Sequence, residues 1–520
     1  MSVALNNLAA GKIISPSEFR ALRENLRRQG RRVVHCHGVF DLLHPGHIAH
    51  LEAARSLGDV LVVSVTAAPY VNKGPGRPYF SDELRMHSLA ALACVDYVLL
   101  SESPSAIEIL DIIQPDLYVK GQEYADAAED VTGNIEKEIA KVRSLGGEVR
   151  FTNGVVFSST QLINQNFPVF PPGVKGFIED FASRYTFKDI QRIVEGMQSL
   201  RVLVVGDIII DEYVFCQVQG LMSKDRALSA RYEREERYLG GGLAVARHVA
   251  SFSNNVTLCG IVGNESHIHT QLLNDMSRAM ILDLQFDDSY QTIVKRRFIE
   301  RRGIRNEYDK LFSINYLDTD FIKNKVDRRP FYDKLEKLVP SHDMVILADY
   351  GHGLIDDNAK EILQEKANFL ALNCQTNSSN YGTNLITKYR RADVFTLDEA
   401  ELRLAFASRT EDVSNLLVRL MQHLRSRAGW LTLGSLGSLS VDQNLVTAKT
   451  PAFTLTVQDT VGAGDAFFAL ASLCMGAEQD VKVGSFLANI AGALAANFLG
   501  NSRAVTKPDV LKFASTLLKF

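Results

Sequence analysis

Short, continuous apolar runs alternate along this chain with longer stretches whose apolar residues recur every three or four positions. Val33-Val34-His35-Cys36-His37-Gly38 and Val60-Leu61-Val62-Val63-Ser64-Val65 are runs of the first kind and predict buried strands. His47 to Leu57, between them, predicts a helix. Strand, helix and strand within about 35 residues make a βαβ unit, hence a parallel sheet. The alternation continues with a helix near Glu83–Leu92, a strand at Tyr97–Leu100, a helix at Ser105–Ile112, a strand at Leu117–Lys120 and a last strand at Glu148–Thr152. Ahead of all this, Ser15-Pro16-Ser17-Glu18 starts a lead-in helix within residues 1–30, with Phe19, Leu22 and Leu26 at helical spacing.

Pro168, Pro171 and Pro172 fall in one short stretch and predict a linker from Asn166 to Lys175. A helical segment near Phe187–Leu200 follows, and a new strand opens at Arg201-Val202-Leu203-Val204-Val205. Strands and helices then alternate to Phe520 with no short-period repeat and no low-complexity tract. The expected layout is therefore α/β throughout: a lead-in helix (1–30), a Rossmann-like domain (31–165), a linker and helix (166–199), and a large α/β domain (200–520).

Composition narrows the function. The 520 residues carry 57 basic and 61 acidic side chains, a net charge of −4. That balance speaks against a nucleic-acid coat or a polybasic membrane arm. No window approaches roughly 18 uninterrupted apolar residues, and the start lacks a charged segment followed by an apolar core, so neither a membrane span nor a secretion signal is expected. Cys36, Cys94, Cys216, Cys259, Cys374 and Cys474 are far apart and form no C-x-x-C, which predicts reduced thiols in a cytoplasm.

Five of the twelve histidines lie between His35 and His50. His44, His47 and His50 recur every three residues, a spacing open to metal ligation or to phosphate chemistry at a helix start. Gly46 and the strand-to-helix context favour phosphate: the helix start offers free N–H groups and a positive dipole end. Two imidazoles one turn apart can then stabilise a crowded phosphate electrostatically. No metal ligand is assigned. This segment resembles the H-x-G-H signature of the cytidylyltransferase-like nucleotidyltransferases, and similar companion segments follow in order: Asn72-Lys73-Gly74, Gly76-Arg77-Pro78, Glu83-Leu84-Arg85, Tyr118-Val119-Lys120-Gly121 and Ser158-Ser159-Thr160. The resemblance implies His44, His47 and Lys73 as catalytic residues. It implies Gly38, Phe40, Arg85, Lys120, Gly121, Ser158, Ser159 and Thr160 as nucleotide or phosphate contacts.

Asp459-Thr460-Val461-Gly462-Ala463-Gly464-Asp465-Ala466-Phe467 carries the strongest chemical signal. A glycine-rich turn opening a helix aims several N–H groups at one point, an anion hole for a transferring phosphoryl group. A carboxylate beside it can take the proton of an attacking hydroxyl. The string resembles the signature of the ribokinase-like (PfkB) sugar kinases, which implies a ribokinase-like α/β fold with a small β lid and Asp465 as catalytic base. Gly462, Ala463, Gly464, Asp398, Glu401, Thr432, Gly434 and Asn489 are then expected on the nucleotide side. Asp207, Asp211, Gly241, Gly242, Lys295 and Arg297 are expected on the sugar side. The pattern departs from the family at Ala244, His352, Asp398 and Met222-Ser223-Lys224-Asp225-Arg226-Ala227, and no aspartate–lysine pair occurs near Asn373–Asn377.

Together the halves resemble the bifunctional kinase–nucleotidyltransferases that make ADP-heptose, in reversed domain order. The resemblance implies ATP-dependent phosphorylation of a sugar phosphate and transfer of a nucleotide from ATP or CTP to a sugar 1-phosphate, with Mg²⁺ in both steps. Sugar phosphates and nucleotides are the expected partners, and the lids of relatives admit a homodimer. Two alternatives stay open. One half is a sugar-phosphate-binding or dimerisation module, or the transferase makes a CDP-alcohol.

Overall fold

The computed structural model describes residues 11–122, 134–152, 159–265, 268, 276, 279–302, 307–317 and 326–519. The chain packs as two units: Met1–Val169 together with Leu511–Phe520, and Phe170–Val510. This division departs from the expected boundaries in two places. The lead-in helix belongs to the first unit, and so do the last ten residues, which the sequence pattern assigns to the kinase-like half.

The first unit is a five-stranded parallel sheet in the order β3-β2-β1-β4-β5. Its strands are β1 (Val33–Gly38), β2 (Val60–Thr66), β3 (Tyr97–Ser101), β4 (Leu117–Gly121) and β5 (Glu148–Thr152). The chain winds outward from β1 to β3 and returns to place β4 on the other side of β1. No crossover spans the gap at the carboxyl ends of β1 and β4, so a ligand crevice is left there. The lead-in helix α1 (Pro16–Arg28) has a reciprocal Ser15–Glu18 capping box. Helix α2 (Pro45–Arg55) begins two residues before the expected start, because His44 caps it.

One helix of this unit escapes the apolar pattern. Ile135 and Val142 of Asn134–Ser144 are buried, but so is Glu138, and an acidic residue on the inner face breaks the expected stripe. A second such helix opens the other unit. Val174–Ala182, inside and just beyond the expected linker, buries Val174, Ile178 and Phe181, and Phe181 stacks on Phe486 at 4.2 Å.

The second unit holds a nine-stranded sheet ordered β10-β9-β6-β13-β14-β15-β16-β17-β18, parallel from β10 through β16. Here β6 is Arg201–Gly206, β9 Asn255–Gly263, β10 Ile281–Asp287, β13 Met344–Asp349, β14 Leu370–Cys374, β15 Val394–Asp398, β16 Ala428–Thr432, β17 Ser438–Asp442 and β18 Thr447–Thr450. Strand order reverses at β6 and β13, which end at Gly206 and Asp349. A separate four-stranded sheet, β12-β11-β7-β8, is the small β lid, with β7 at Ile208–Leu221, β8 at Leu228–Gly241, β11 at Ile293–Arg302 and β12 at Glu307–Tyr316.

A buried guanidinium fixes the loop after β1. Arg85 Nη1 donates to the carbonyls of Val39 (2.6 Å) and Thr66 (2.9 Å), and Nε donates to that of Phe80 (3.2 Å). Asp82 accepts from Nη2 at 2.5 Å. Arg85→Leu strips these carbonyls of their donor and is expected to cost about 3 kcal/mol or more. The readout separates the units, because Trp430 is the chain's one tryptophan and is buried in the second. The circular-dichroism unfolding transition of the first unit should move to lower denaturant, while the Trp430 fluorescence transition stays in place.

Candidate active sites

The first site forms where β1 ends. His44 takes an extended conformation and its Nδ1 accepts from His47 N–H at 3.3 Å, so the helix start itself aims both rings. The two imidazoles stack at 3.9 Å and 17°. Phe40 meets His47 edge-on at 5.3 Å, and its φ of 49° is a left-handed conformation that a bulky side chain rarely adopts. The neighbouring carboxylate holds that turn: Asp41 accepts from the Tyr79 and Phe80 N–H groups and from Arg77 Nη1 at 3.3 Å. Gly38 lies under the Phe40 ring, which a Cβ there would crowd.

Electrostatics draw Lys73 into this group. Burial pushes His47 down to about 3, helped by the positive charges of His44, Lys73 and His50. Burial likewise lowers His44. His47 also meets the Leu42 backbone, which opposes that shift and orients the ring.

Two residues expected on phosphate are placed otherwise. Arg85 is spent on backbone carbonyls and is a positioning residue, a correction that follows from its complete burial. Lys120 pairs with Glu138 at 3.0 Å, and Glu138 also accepts from Tyr118 Oη at 2.9 Å. This second correction has the same physical cause: a buried ammonium needs a nearby carboxylate. Ser158 lies outside the described residues, while Ser159 and Thr160 open the helix Ser159–Asn166 and Gly121 ends β4. His35 and His37 share Ser64 Oγ at 2.8 and 2.7 Å, and His50 meets Thr152 Oγ1 at 2.7 Å, so these three pack the sheet edge.

The second site lies between the carboxyl ends of β6 and β13. Asp207 Oδ2 accepts from Tyr350 N–H at 3.1 Å, directly across the reversal of strand order. Tyr350 Oη donates to Asp465 Oδ1 at 2.8 Å, and Gln375 Nε2 donates to the same oxygen at 3.2 Å. Burial pushes Asp465 up to about 6 and Asp207 up to about 7, the latter helped by Asp349. Asp465 sits in the first turn of the helix Ala463–Gly476, whose leading N–H groups have no carbonyl of their own helix to reach. Gly462 turns into that helix at φ 85°, and Gly464 has open space on its exposed side.

Strand alternation sorts the lid's charges. Asp211 on β7 pairs in register with Lys295 on β11 and forms an ion pair with Arg297, while Asn501 Nδ2 reaches it at 3.4 Å. Glu212, one residue on, faces the other way and binds Arg237 and Arg296, each at 2.7 Å. Burial lowers Lys295, against the pull of Asp211, Asp207 and Asp465. Asp207, Asp211, Lys295, Arg297 and Asp465 therefore share one site.

Other expected residues also make contacts within the fold. Gly241 and Gly242 let the start of helix Gly242–Ala250 touch the β6 turn, and a Cβ on Gly242 would crowd Gly206. The close approach seen here is backbone to backbone. Asn489 donates to Ser438 Oγ and Ser485 O, both at 2.7 Å. Asp398 caps its helix on Glu401 N–H at 2.8 Å, and Glu401 accepts from Thr376 N–H at 2.8 Å. Thr432 ends β16, and Gly434 turns the exposed loop after it at φ 58°.

Sequence reasoning missed an amide scaffold. Asn377 and Asn380 both donate to Tyr350 O at 2.8 Å, and Asn384 donates to Gln375 O at 2.9 Å. Lys388 forms the ion pair with Asp349 for which no lysine is found near Asn373–Asn377. The spacing of Asn377, Asn380 and Asn384 was the available signal.

Comparison with known proteins agrees with this layout. The family model described as Cytidylyltransferase-like matches residues 35–169, and that for the pfkB family carbohydrate kinases matches residues 199–505. The bifunctional protein HldE of Syntrophotalea carbinolica is 40% identical over 151 residues, 29% of this chain and 29% of that protein. HldE of Methylobacillus flagellatus is 38% identical over 156 residues, 30% of each. The chain thus spans about three tenths of the length of these relatives. Among solved structures, an Arabidopsis thaliana ribokinase complexed with ribose and ATP is similar at 19% identity, with a TM-score of 0.48, covering 62% of this chain and all of that one. Phosphofructokinase-2 from Escherichia coli is similar at 14% identity, with a TM-score of 0.47, covering 61% and 99%.

A base must be ionised to accept a proton, so turnover that depends on Asp465 should fall as the pH drops through about 6. Tyr350→Phe removes a donor that favours the charged form, and should move that inflection upward. A pH profile of kcat/KM for both proteins checks this. An unmoved inflection would mean that another group titrates.

Proposed function

The chain belongs to the pfkB family of carbohydrate kinases, and on that premise we propose that it is a two-activity enzyme making a nucleotide-activated sugar. The observation that carries the reading is a shared arrangement. Each unit has phosphate-directed groups at the carboxyl edge of its own parallel sheet, where strand order reverses.

In the kinase half, Asp465 takes the proton of a sugar hydroxyl, whose oxygen attacks the γ-phosphorus of ATP, and ADP leaves. N–H groups at the start of the Asp465 helix receive the transferring phosphoryl group. Asp207 and Asp211 hold sugar hydroxyls, and Lys295 and Arg297 receive a phosphate already on the sugar. In the transferase half, an oxygen of a sugar 1-phosphate attacks the α-phosphorus of ATP or CTP and pyrophosphate leaves. His44 and His47 stabilise the crowded transition state at the phosphoryl oxygens, and Lys73 offsets phosphate charge. Heptose phosphates are the first acceptors to try, by the resemblance to ADP-heptose-making enzymes.

Mg²⁺ fits the kinase nucleotide side. Burial and the charge of Asp398 push Glu401 up to about 7, an imbalance that a divalent cation relieves. Glu401 with Asp398 would hold it, and the ion would supply charge compensation for the phosphates. A cytoplasmic location belongs to the same proposal. Among the described residues, no helix is long and apolar enough to cross a membrane.

A second reading keeps the kinase half as a sugar-phosphate-binding module. His352 favours it: the ring stands where the family signature has a lysine, and burial pushes it down to about 3, so it brings no charge at neutral pH. Two variants decide. Asp465→Asn should lower phosphoryl transfer to a sugar-phosphate panel by about 10²-fold or more and leave pyrophosphate release alone. His47→Ala should do the converse, by about 10²-fold. Phosphorylation indifferent to Asp465→Asn would overturn the kinase assignment, and pyrophosphate release indifferent to His47→Ala would overturn the transferase one.

The lid leaves Leu221, Leu228, Tyr232 and Phe312 exposed, with Phe312 stacked on Phe298 at 4.4 Å. A patch of this kind is covered by a partner, and we assign a second copy of the chain. Light scattering should give twice the chain mass, falling to one for Phe312→Asp.

A further inference from the structure

Residues 511–519 follow the kinase-family match in sequence yet pack within the first unit. Two contacts bring them onto the Lys73 loop. Gly74 has a φ of 94°, and a Cβ there would overlap the ring of Phe513, which is fully buried. Asn164, itself buried, ties the same parts together. Its side-chain oxygen accepts from Arg77 Nη2 at 2.6 Å, and its amide donates to the carbonyls of Thr516 (2.8 Å) and Lys519 (3.3 Å). Arg77 in turn pairs with Asp41. The loop 73–77 and the segment 511–519 are thus one hydrogen-bonded assembly.

Basic side chains of both parts act on Lys73. Lys73, Arg77, Lys512 and Lys519 all raise the positive potential here, and Asp41 opposes them. Asp41 is already committed to Arg77 and to the N–H groups of Tyr79 and Phe80. Burial pushes Lys73 down to about 8, and Lys519 is the largest like charge against it, with Arg77 and Lys512 adding to the effect. Like charges gathered near one ammonium focus positive potential there, and a bound anion is drawn to it. Helix Lys507–Leu517 buries Leu511, Phe513, Ala514 and Leu517, while Lys512 is half-exposed and Lys519 exposed, so the ammonium groups lie on the accessible side.

We propose that Lys512 and Lys519 form, with Lys73, a phosphate-oxyanion subsite of the transferase half, receiving the condensed phosphates that leave as pyrophosphate. The identity of the phosphate rests on the transferase reading above, whereas anion binding does not require turnover. The subsite adds binding residues from a segment with no counterpart in the H-x-G-H pattern.

The test uses the full chain and calorimetric titration with two probes, inorganic pyrophosphate and glucose 1-phosphate. K512Q/K519Q should bind pyrophosphate at least about tenfold more weakly than the unaltered protein, with a shallower salt dependence. K512R/K519R should stay within about twofold, which a merely structural disturbance would not produce. A loss confined to glucose 1-phosphate would keep the subsite and assign it to the acceptor's phosphate. Unchanged affinity for both probes, or no binding of either by the unaltered protein, overturns the proposal. Pyrophosphate release is read in parallel. A binding loss in a chain that releases no pyrophosphate would leave the subsite standing and sink the transferase reading.

Discussion

Parallel strands must all end at one edge of a sheet, and the chain has to leave that edge to begin its next helix. Both units of this protein follow from that constraint. Helix N-termini, with their unpaired N–H groups, collect along one edge. Where strand order reverses, between β1 and β4 and again between β6 and β13, no crossover fills the space above the sheet. His44 and His47 stand at the first such gap and Asp207 and Tyr350 at the second. The two active regions share no sequence motif. They share a topological position, and its supply of positive dipole ends suits both to phosphate.

What occupies such an edge is a separate question from what works there. A charged side chain in a crevice either faces ligand or repairs the fold, and hydrogen bonding tells the two apart. Arg85, Glu138 and Asp459 are buried and fully engaged. Asp459 accepts from Tyr213 Oη at 2.9 Å, Lys310 Nζ at 2.8 Å and Gly500 N–H at 3.0 Å, tying the glycine signature to the lid strands. These groups hold turns that the backbone alone would not hold. Lys73, Asp465 and Asp207 differ: burial, more than any partner, pushes all three toward neutrality.

The central strands were legible because parallel strands, buried on both faces, read as continuous apolar runs: β1 falls at the expected residues and β2 runs one residue past them. Much of each site was legible too, since His44, His47 and Asp465 sit in local strings whose chemistry depends on neighbours a few residues away. Partners distant in sequence were not legible. Glu138 answers Lys120 from a helix whose apolar stripe it interrupts, and Arg85 meets carbonyls 46 and 19 residues away. Neither relation leaves a periodic trace. The helix Val174–Ala182 was missed for another reason: Pro168, Pro171 and Pro172 marked a linker to Lys175, and the helical spacing of Val174, Ile178 and Phe181 begins inside it.

The kinase-like half also shows how an altered signature can keep its geometry. Asp349 has lost any lysine nearby in sequence, but Lys388 reaches it, together with Tyr389 Oη at 2.7 Å. The charge balance of that carboxylate is restored from a different segment. Tyr350 needs its backbone held, and Asn377 and Asn380 do this with neutral amides. Tyr350 then spends its hydroxyl on Asp465. An amide has no net charge to add, so this scaffold orients the carboxylate without neutralising it. Asp465 is left poised near 6 by burial against two donors, ionised at neutral pH and still basic enough to accept a proton. Departures at His352 and near Asn373–Asn377 therefore leave Asp465 held by Tyr350 and Gln375, a buried carboxylate still ionised at neutral pH.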